Sequence, residues 1–119
     1  MATILLVEDE FVIAFGSRMI LEDEGFAVLV AANGEAGLAE ALASGPDLIV
    51  TDYMMPRMNG LEMIRQLRDR GVTTPIVLAT SIPERQVPND PPSQYDAYLG
   101  KPYGDAGLLE VVQRLLAAL

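Results

Sequence analysis

The chain has 119 residues, a formal charge of −9, and neither cysteine nor histidine. This length suits one domain, taken as residues 1–119, that buries a core without disulfides. The missing residue types exclude disulfides, thiolate metal sites and a phosphohistidine on this chain. The acidic balance disfavours direct binding to nucleic acid or to an anionic membrane. Because no signal-peptide pattern and no apolar run of about 18 residues is present, we expect a soluble cytoplasmic protein.

Strand-like and helix-like segments alternate along the whole chain, which is typical of an α/β doubly wound parallel sheet. The runs that predict strands are 3–7, 26–30, 48–50, 76–79 and 98–99. Helices are predicted over 10–24, after Asn33, after Asn59, and from Asp105 to the end of the chain. No linker, repeat or low-complexity segment interrupts this order.

Helix starts and apolar spacing support the first three helices. The first carries apolar residues at helical spacing, namely Val12, Phe15 and Met19. Asn33 is a candidate cap for the second, whose apolar side holds Leu38, Ala41 and Leu42. Asn59 followed by Glu62 resembles a capping box, which would open a third helix with inward-facing Leu61, Ile64 and Leu67.

Segment 82–96 departs from the alternation because it holds four prolines, namely Pro83, Pro88, Pro91 and Pro92. Proline lacks a backbone donor and does not fit a helix interior, so we expect at most one or two helical turns there. A fourth helix between the last two strands would therefore be disrupted. The segment is either a plain surface loop or a specialised interface, and the sequence does not choose between them.

The last predicted helix carries apolar residues over an arc wider than a single core stripe of about 100°. They are Leu108, Leu109, Val111, Val112, Leu115, Leu116 and Leu119. The excess would suit a homodimer surface or a docking face for a neighbouring domain. It would equally suit a helix that covers two strands of the sheet.

Five polar residues stand where apolar runs end: Glu8 and Asp9, Asp52, Thr80 and Lys101. Parallel strands bring their carboxyl ends to one rim, where α/β sheets bind ligands. Clustered carboxylates repel one another, so they favour a hard, oxygen-ligated cation such as Mg²⁺. An aspartate carboxylate is also a nucleophile that can take a phosphoryl group. Taken singly, each of these residues could be a helix cap, a turn residue or a surface side chain, but their joint placement favours a metal-assisted phosphoryl-accepting site.

The chain resembles the receiver domain of two-component response regulators over essentially its whole length. The matching stretches are residues 4–10, 47–60 and 96–102, in that order. The resemblance implies a flavodoxin-like, five-stranded parallel sheet with strand order 2-1-3-4-5. It also implies a cis bond between Lys101 and Pro102.

The same resemblance implies roles for the rim residues. Asp52 would accept a phosphoryl group from the phosphohistidine of a histidine kinase or histidine phosphotransfer protein. The Mg²⁺ ligands would be Glu8, Asp9, Asp52 and the backbone carbonyl of Met54, while Thr80 and Lys101 would bind the phosphoryl group. Movement of Thr80 and Tyr98 would then switch a surface read by a downstream output domain or protein. The chain would thus be a phosphoacceptor that assists its own phosphorylation and dephosphorylation, rather than an enzyme.

Two other function classes remain open from the residues alone. A pseudo-receiver would bind partners without phosphorylation, although it would be expected to lack at least one of the five polar residues. An aspartate-based phosphatase would need a second acid just after Asp52, where the chain has Tyr53 and Met54. The family resemblance also implies that Met54 and Ile82 lie where an attacking water would pass. Both are bulky and apolar here, which predicts a long-lived phosphoaspartate.

Overall fold

The computed structural model describes residues 1–88 and 94–118. Its five strands form one parallel sheet. The strands are β1 (Thr3–Val7), β2 (Ala27–Ala31), β3 (Leu48–Thr51), β4 (Ile76–Thr80) and β5 (Ala97–Gly100). Their order is β2-β1-β3-β4-β5, which confirms the predicted topology. The second strand starts one residue later than predicted, since Ala27 pairs with Thr3 and Ala31 with Val7.

Helices cover both faces of the sheet. They are α1 (Phe11–Asp23), α2 (Gly34–Ser44), α3 (Gly60–Asp69) and α4 (Asp105–Ala117). One core layer lies between the sheet and α1 with α4, and the other lies between the sheet and α2 with α3. The inner strands are buried on both sides, which explains why their sequences are continuous apolar runs rather than alternating ones.

The sequence predicted α1 correctly, but the apolar stripe that it singled out does not face the sheet. Val12, Phe15 and Met19 are 80%, 55% and 49% exposed. The buried face instead holds Ala14, Ser17 and Leu21. Both stripes have helical spacing, so periodicity located the helix without deciding which side packs on the sheet.

Side-chain caps begin α2 and α3 where the sequence placed them. The Asn33 side chain accepts a hydrogen bond from the Ala36 N–H at 2.8 Å, and Asn59 accepts one from the Glu62 N–H at 2.9 Å. The capping box is only half formed, because the Glu62 carboxylate pairs with Arg65. In α2, Ala41 is buried as expected, but Leu42 is 46% exposed.

The connection from β4 to β5 contains a single 3-10 turn, Glu84–Gln86, within its described part. This agrees with the prediction of at most one or two turns, while Pro91 and Pro92 lie outside the described residues. Arg68 of α3 fastens the chain as it returns to the sheet. Its guanidinium donates to the Gln94 carbonyl at 2.9 Å and to the Asp96 carboxylate at 3.0 Å.

Most apolar residues in the wide arc of α4 pack into the core of its own domain. Leu108, Val111 and Val112 are buried, and the half-buried members pack against the same layer. Those half-buried residues are Leu109, Leu115 and Leu116. Leu119 lies outside the described residues, and homodimerisation stays a prediction. Among the helices described in 1–88 and 94–118, none has the length and hydropathy to cross a bilayer.

Candidate functional site

The carboxyl ends of β1 and β3 bring three carboxylates together at one rim. Oxygen atoms of Glu8, Asp9 and Asp52 all lie within 4.8 Å of one another. Glu8 is 4% exposed and Asp52 is 9% exposed, whereas Asp9 is exposed. The cluster therefore has a buried floor and one carboxylate that faces solvent.

Lys101, the only lysine in the chain, reaches into this cluster from the end of β5. Its ammonium lies 2.5 Å from a Glu8 oxygen and 2.9 Å from Asp52 Oδ2. A cis bond joins Lys101 to Pro102, as the family resemblance implied. Strands β1, β3 and β5 thus each contribute to one charged network, which agrees with the predicted convergence at one rim.

Burial and pairing act against each other in this network. Burial raises the pKa of the Glu8 carboxyl, and hydrogen bonds from Lys101 and from the Glu10 backbone oppose that rise without cancelling it. Burial lowers the pKa of the Lys101 ammonium, but hydrogen bonds to Glu8 and Asp52 outweigh it, so the net pKa is raised. Lys101 therefore carries a charge at neutral pH.

The donor set of this cluster fits a small hard cation. It offers only carboxylate oxygens, which suit Mg²⁺ better than a softer transition metal. The exposed Asp9 leaves one side open to solvent, which matters because Mg²⁺ usually keeps several waters. Glu8, Asp9 and Asp52 are the residues that would hold the ion. The role of the Met54 carbonyl stays a prediction.

The loop after β3 supports Asp52 through contacts that sequence reasoning did not identify. The Tyr53 N–H donates to Asp52 Oδ1 at 2.7 Å, and the Thr51 hydroxyl donates to the Asp52 carbonyl at 2.9 Å. Gly60 passes so close that an added Cβ would lie 2.0 Å from the Asp52 carbonyl oxygen. The Asn59–Gly60 pair was the sequence feature that could have predicted this contact, since glycine permits such a close approach of two backbone segments.

Thr80 and Tyr98 meet at the start of the β4–β5 connection. The Thr80 hydroxyl accepts a hydrogen bond from the Ile82 N–H at 3.3 Å, and Thr80 is 2% exposed. The Tyr98 hydroxyl donates to the Ile82 carbonyl at 2.5 Å and lies 3.5 Å from the Thr80 carbonyl. The two residues predicted to act as a switch therefore contact the same short loop.

A second polar pair near the rim was also missed. Ser17 of α1 is buried, and its hydroxyl lies 2.8 Å from the Tyr103 hydroxyl. Burial raises the pKa of Tyr103, and the Ser17 hydrogen bond lowers it in part. The pair ties α1 to the turn that follows Lys101. Because Ser17 and Tyr103 are far apart in sequence, no local pattern predicts that they form a hydrogen bond.

Comparison with known proteins identifies the family. Residues 4–113 match the response regulator receiver domain. The chain belongs to the response regulator receiver family. It is 38% identical over 95% of its length to the alkaline phosphatase synthesis transcriptional regulatory protein SphR of Synechococcus elongatus. It is also 37% identical over 98% of its length to the transcriptional regulatory protein ResD of Bacillus subtilis. It covers 48% and 47% of those relatives, so the chain spans about half the length of the curated relatives it matches.

Solved receiver structures share the whole fold. The Francisella response regulator 1452 receiver domain superposes with a TM-score of 0.92 at 26% identity, covering 99% of this chain and 98% of that one. The Vibrio cholerae chemotaxis protein CheY4 gives 0.86 at 32% identity, with 97% and 98% covered. The Thermotoga maritima response regulator TrrA, solved in complex with Mg²⁺-BeF, gives 0.87 at 29% identity, with 97% and 99% covered.

Proposed function

We propose that Asp52 accepts a phosphoryl group from a histidine kinase or a histidine phosphotransfer protein, in a reaction that requires Mg²⁺. The observation that carries this proposal is the placement of Asp52 within a cluster of three carboxylates and 2.9 Å from the Lys101 ammonium. We take residues 1–119 as one receiver domain. A cytoplasmic location remains a prediction.

Each rim residue has a distinct part in the proposed reaction. One Asp52 oxygen attacks phosphorus, and the bond from phosphorus to the donor breaks, with its electron pair leaving on the donor. Lys101 would exchange its contact with Asp52 Oδ2 for a phosphoryl oxygen, as a point charge. The Thr80 hydroxyl would leave the Ile82 N–H and bind a second oxygen. Bound Mg²⁺, held by Glu8, Asp9, Asp52 and the Met54 carbonyl, would offset negative charge in the loose transition state.

The proposed output is a change in the surface around the β4–β5 connection. Tyr98 lines a cavity of about 360 Å³ there, together with Val87 and Tyr95. The Thr80 and Tyr98 hydroxyls both bond to Ile82, so movement of Thr80 toward phosphate would alter the bond that holds Tyr98. The added charge at Asp52 would thereby shift the equilibrium between two packings of this surface. A downstream output domain or protein would read the difference.

Intact-mass spectrometry after incubation with acetyl phosphate tests the proposal. We expect a gain of one phosphoryl group that requires Mg²⁺ and is absent in Asp52→Asn. The matched control is Asp23→Asn, an exposed aspartate at the end of α1. A folded wild-type protein that gains no mass with or without Mg²⁺ would favour the pseudo-receiver alternative. Continuous release of phosphate, without a phosphorylated protein, would favour the phosphatase.

A further inference from the structure

The proposed acceptor site continues into a cavity of about 420 Å³ between α1 and the turn after β5. Asp52 and Lys101 line one end of this cavity, and its other polar lining residues are Glu10, Ser17 and Ser81. Its remaining wall is mainly apolar and includes Val12, Ile13, Ile20, Pro102 and Tyr103. A ligand that fits both ends would carry a phosphoryl group at one end and a short apolar group at the other.

Gly16 lines this cavity and keeps it open. It lies within α1, where glycine destabilises the helix relative to alanine. Leaving aside Phe15, Ser17 and the backbone of the same helix, no heavy atom of the described residues lies within 4 Å of the position a Gly16 Cβ would take. At Gly34, Gly37 and Gly60, by contrast, an added Cβ would clash at 2.0–2.8 Å. Close packing thus requires glycine at those three positions but not at position 16. The absence of a side chain at Gly16 leaves that part of the cavity empty.

We propose that this cavity binds the aliphatic chain of a small acyl phosphate while its phosphoryl group lies at Asp52. The inference rests on the proposed function, because the cavity matters only if Asp52 is phosphorylated. The opposite charge of Lys101 suits the phosphoryl end, and the apolar wall suits the acyl end. The cavity would make this receiver selective among small phosphodonors, with preference for chains longer than acetyl.

The chemical step balances without any further reactant. An Asp52 carboxylate oxygen forms a new bond to phosphorus. The bond between phosphorus and the acyl oxygen breaks, and its electron pair leaves on the departing carboxylate. Oxidation state and proton count are unchanged. The acyl chain stays buried in the transition state, so its burial lowers the free energy of the transition state relative to free donor and raises the second-order rate constant.

Acetyl phosphate and butyryl phosphate provide a matched pair of probes. They differ by two methylenes remote from phosphorus, so their leaving groups are chemically alike. Each buried methylene changes an equilibrium about fourfold, so we expect butyryl phosphate to react about sixteenfold faster with the wild-type protein. The rate constants are measured by intact mass in Mg²⁺-containing buffer.

Gly16→Leu should fill the cavity and bring the ratio of the two rate constants close to one. Gly16→Ala, which adds a single methyl group, should lower the ratio in part and raise the melting temperature, since alanine favours the helix. The matched control is Ala39→Leu, which places the same leucine side chain at an exposed position of α2 and should keep the wild-type ratio.

The possible results separate this inference from the proposed function. Equal wild-type rates for the two donors would overturn the cavity proposal and leave the phosphoacceptor proposal standing. So would a butyryl preference that survives in folded Gly16→Ala and Gly16→Leu proteins. No reaction with either donor would overturn the phosphoacceptor proposal and the cavity proposal together.

Discussion

The Lys101 ammonium donates to both Glu8 and Asp52, and it is the only lysine in the chain. Two strands that are not neighbours in the sheet, β1 and β5, are joined across β3 and β4 by this contact. The same amine is therefore a structural tie between strand ends and the cation closest to the proposed acceptor. Its protonation state reports on the whole cluster.

Because Lys101 is unique, [ε-¹³C]lysine labelling gives one NMR resonance that reads its titration. We expect a pKa above the usual value of about 10.4, since hydrogen bonds to Glu8 and Asp52 outweigh burial. In Glu8→Gln one charge partner is lost while burial remains, so the Lys101 pKa should fall. The exposed control Glu110→Gln should leave it unchanged. An unshifted Lys101 resonance in Glu8→Gln would contradict the assigned network.

The raised Lys101 pKa also determines the direction in which the free energy of unfolding changes with pH. The folded state binds the proton more tightly than the unfolded chain, so this contribution is present below about pH 10.4. It is lost as pH rises through the folded-state pKa. Denaturant unfolding between about pH 9 and about pH 11 should therefore show a steeper decline for the wild type than for Lys101→Met. Parallel declines in the two proteins would oppose this assignment.

The rate at which phosphoaspartate is hydrolysed should depend on Met54. Met54 is 58% exposed beside Asp52 and, like Ile82, carries no group that can orient an attacking water. We expect Met54→Asn to shorten the phosphoprotein half-life about tenfold, equivalent to about 1.4 kcal/mol in activation free energy. The half-life is measured by intact mass after acetyl phosphate is removed. Met19→Asn, at an exposed position on α1, is the control, and equal half-lives in all three proteins would defeat the prediction.

Loss of the Tyr98 hydroxyl should weaken the coupling between phosphorylation of Asp52 and the surface around the β4–β5 connection. We expect Tyr98→Phe to lose about 1 kcal/mol of unfolding free energy, because the Ile82 carbonyl loses its partner. Phosphorylation should persist, while backbone amide shift changes at Ile82 and Glu84 on addition of Mg²⁺ and beryllofluoride should shrink. Tyr95→Phe is the matched control, since the hydrogen bond that its hydroxyl makes within the described residues goes to the Glu84 carboxylate at 3.4 Å and not to Ile82. Undiminished shift changes in Tyr98→Phe would remove Tyr98 from the switch.

The sequence predicted features that depend on local order or on the shared direction of strands. Strand order followed from the family resemblance, and the convergence of Glu8, Asp9, Asp52 and Lys101 followed from parallel strand ends. Asn33 and Asn59 were recognisable caps because the cap and its partner lie three residues apart.

Features that depend on distant partners were not predictable. Ser17 is polar yet buried, because Tyr103 supplies its hydrogen bond from the far end of the chain. Sequence reasoning therefore chose the more apolar stripe of Val12, Phe15 and Met19, which the structure exposes. The Tyr53 N–H contact with Asp52 was missed for another reason, since it depends on the course of the loop after β3.

Borohydride trapping followed by peptide mapping tests the central claim most directly, because it names the residue that carries the phosphoryl group. Borohydride reduces an aspartyl phosphate to homoserine. After reaction with acetyl phosphate and Mg²⁺, we expect this conversion at Asp52 alone and only when Mg²⁺ is present. Conversion at Asp9 or at another carboxylate, with Asp52 intact in the folded protein, would contradict the account.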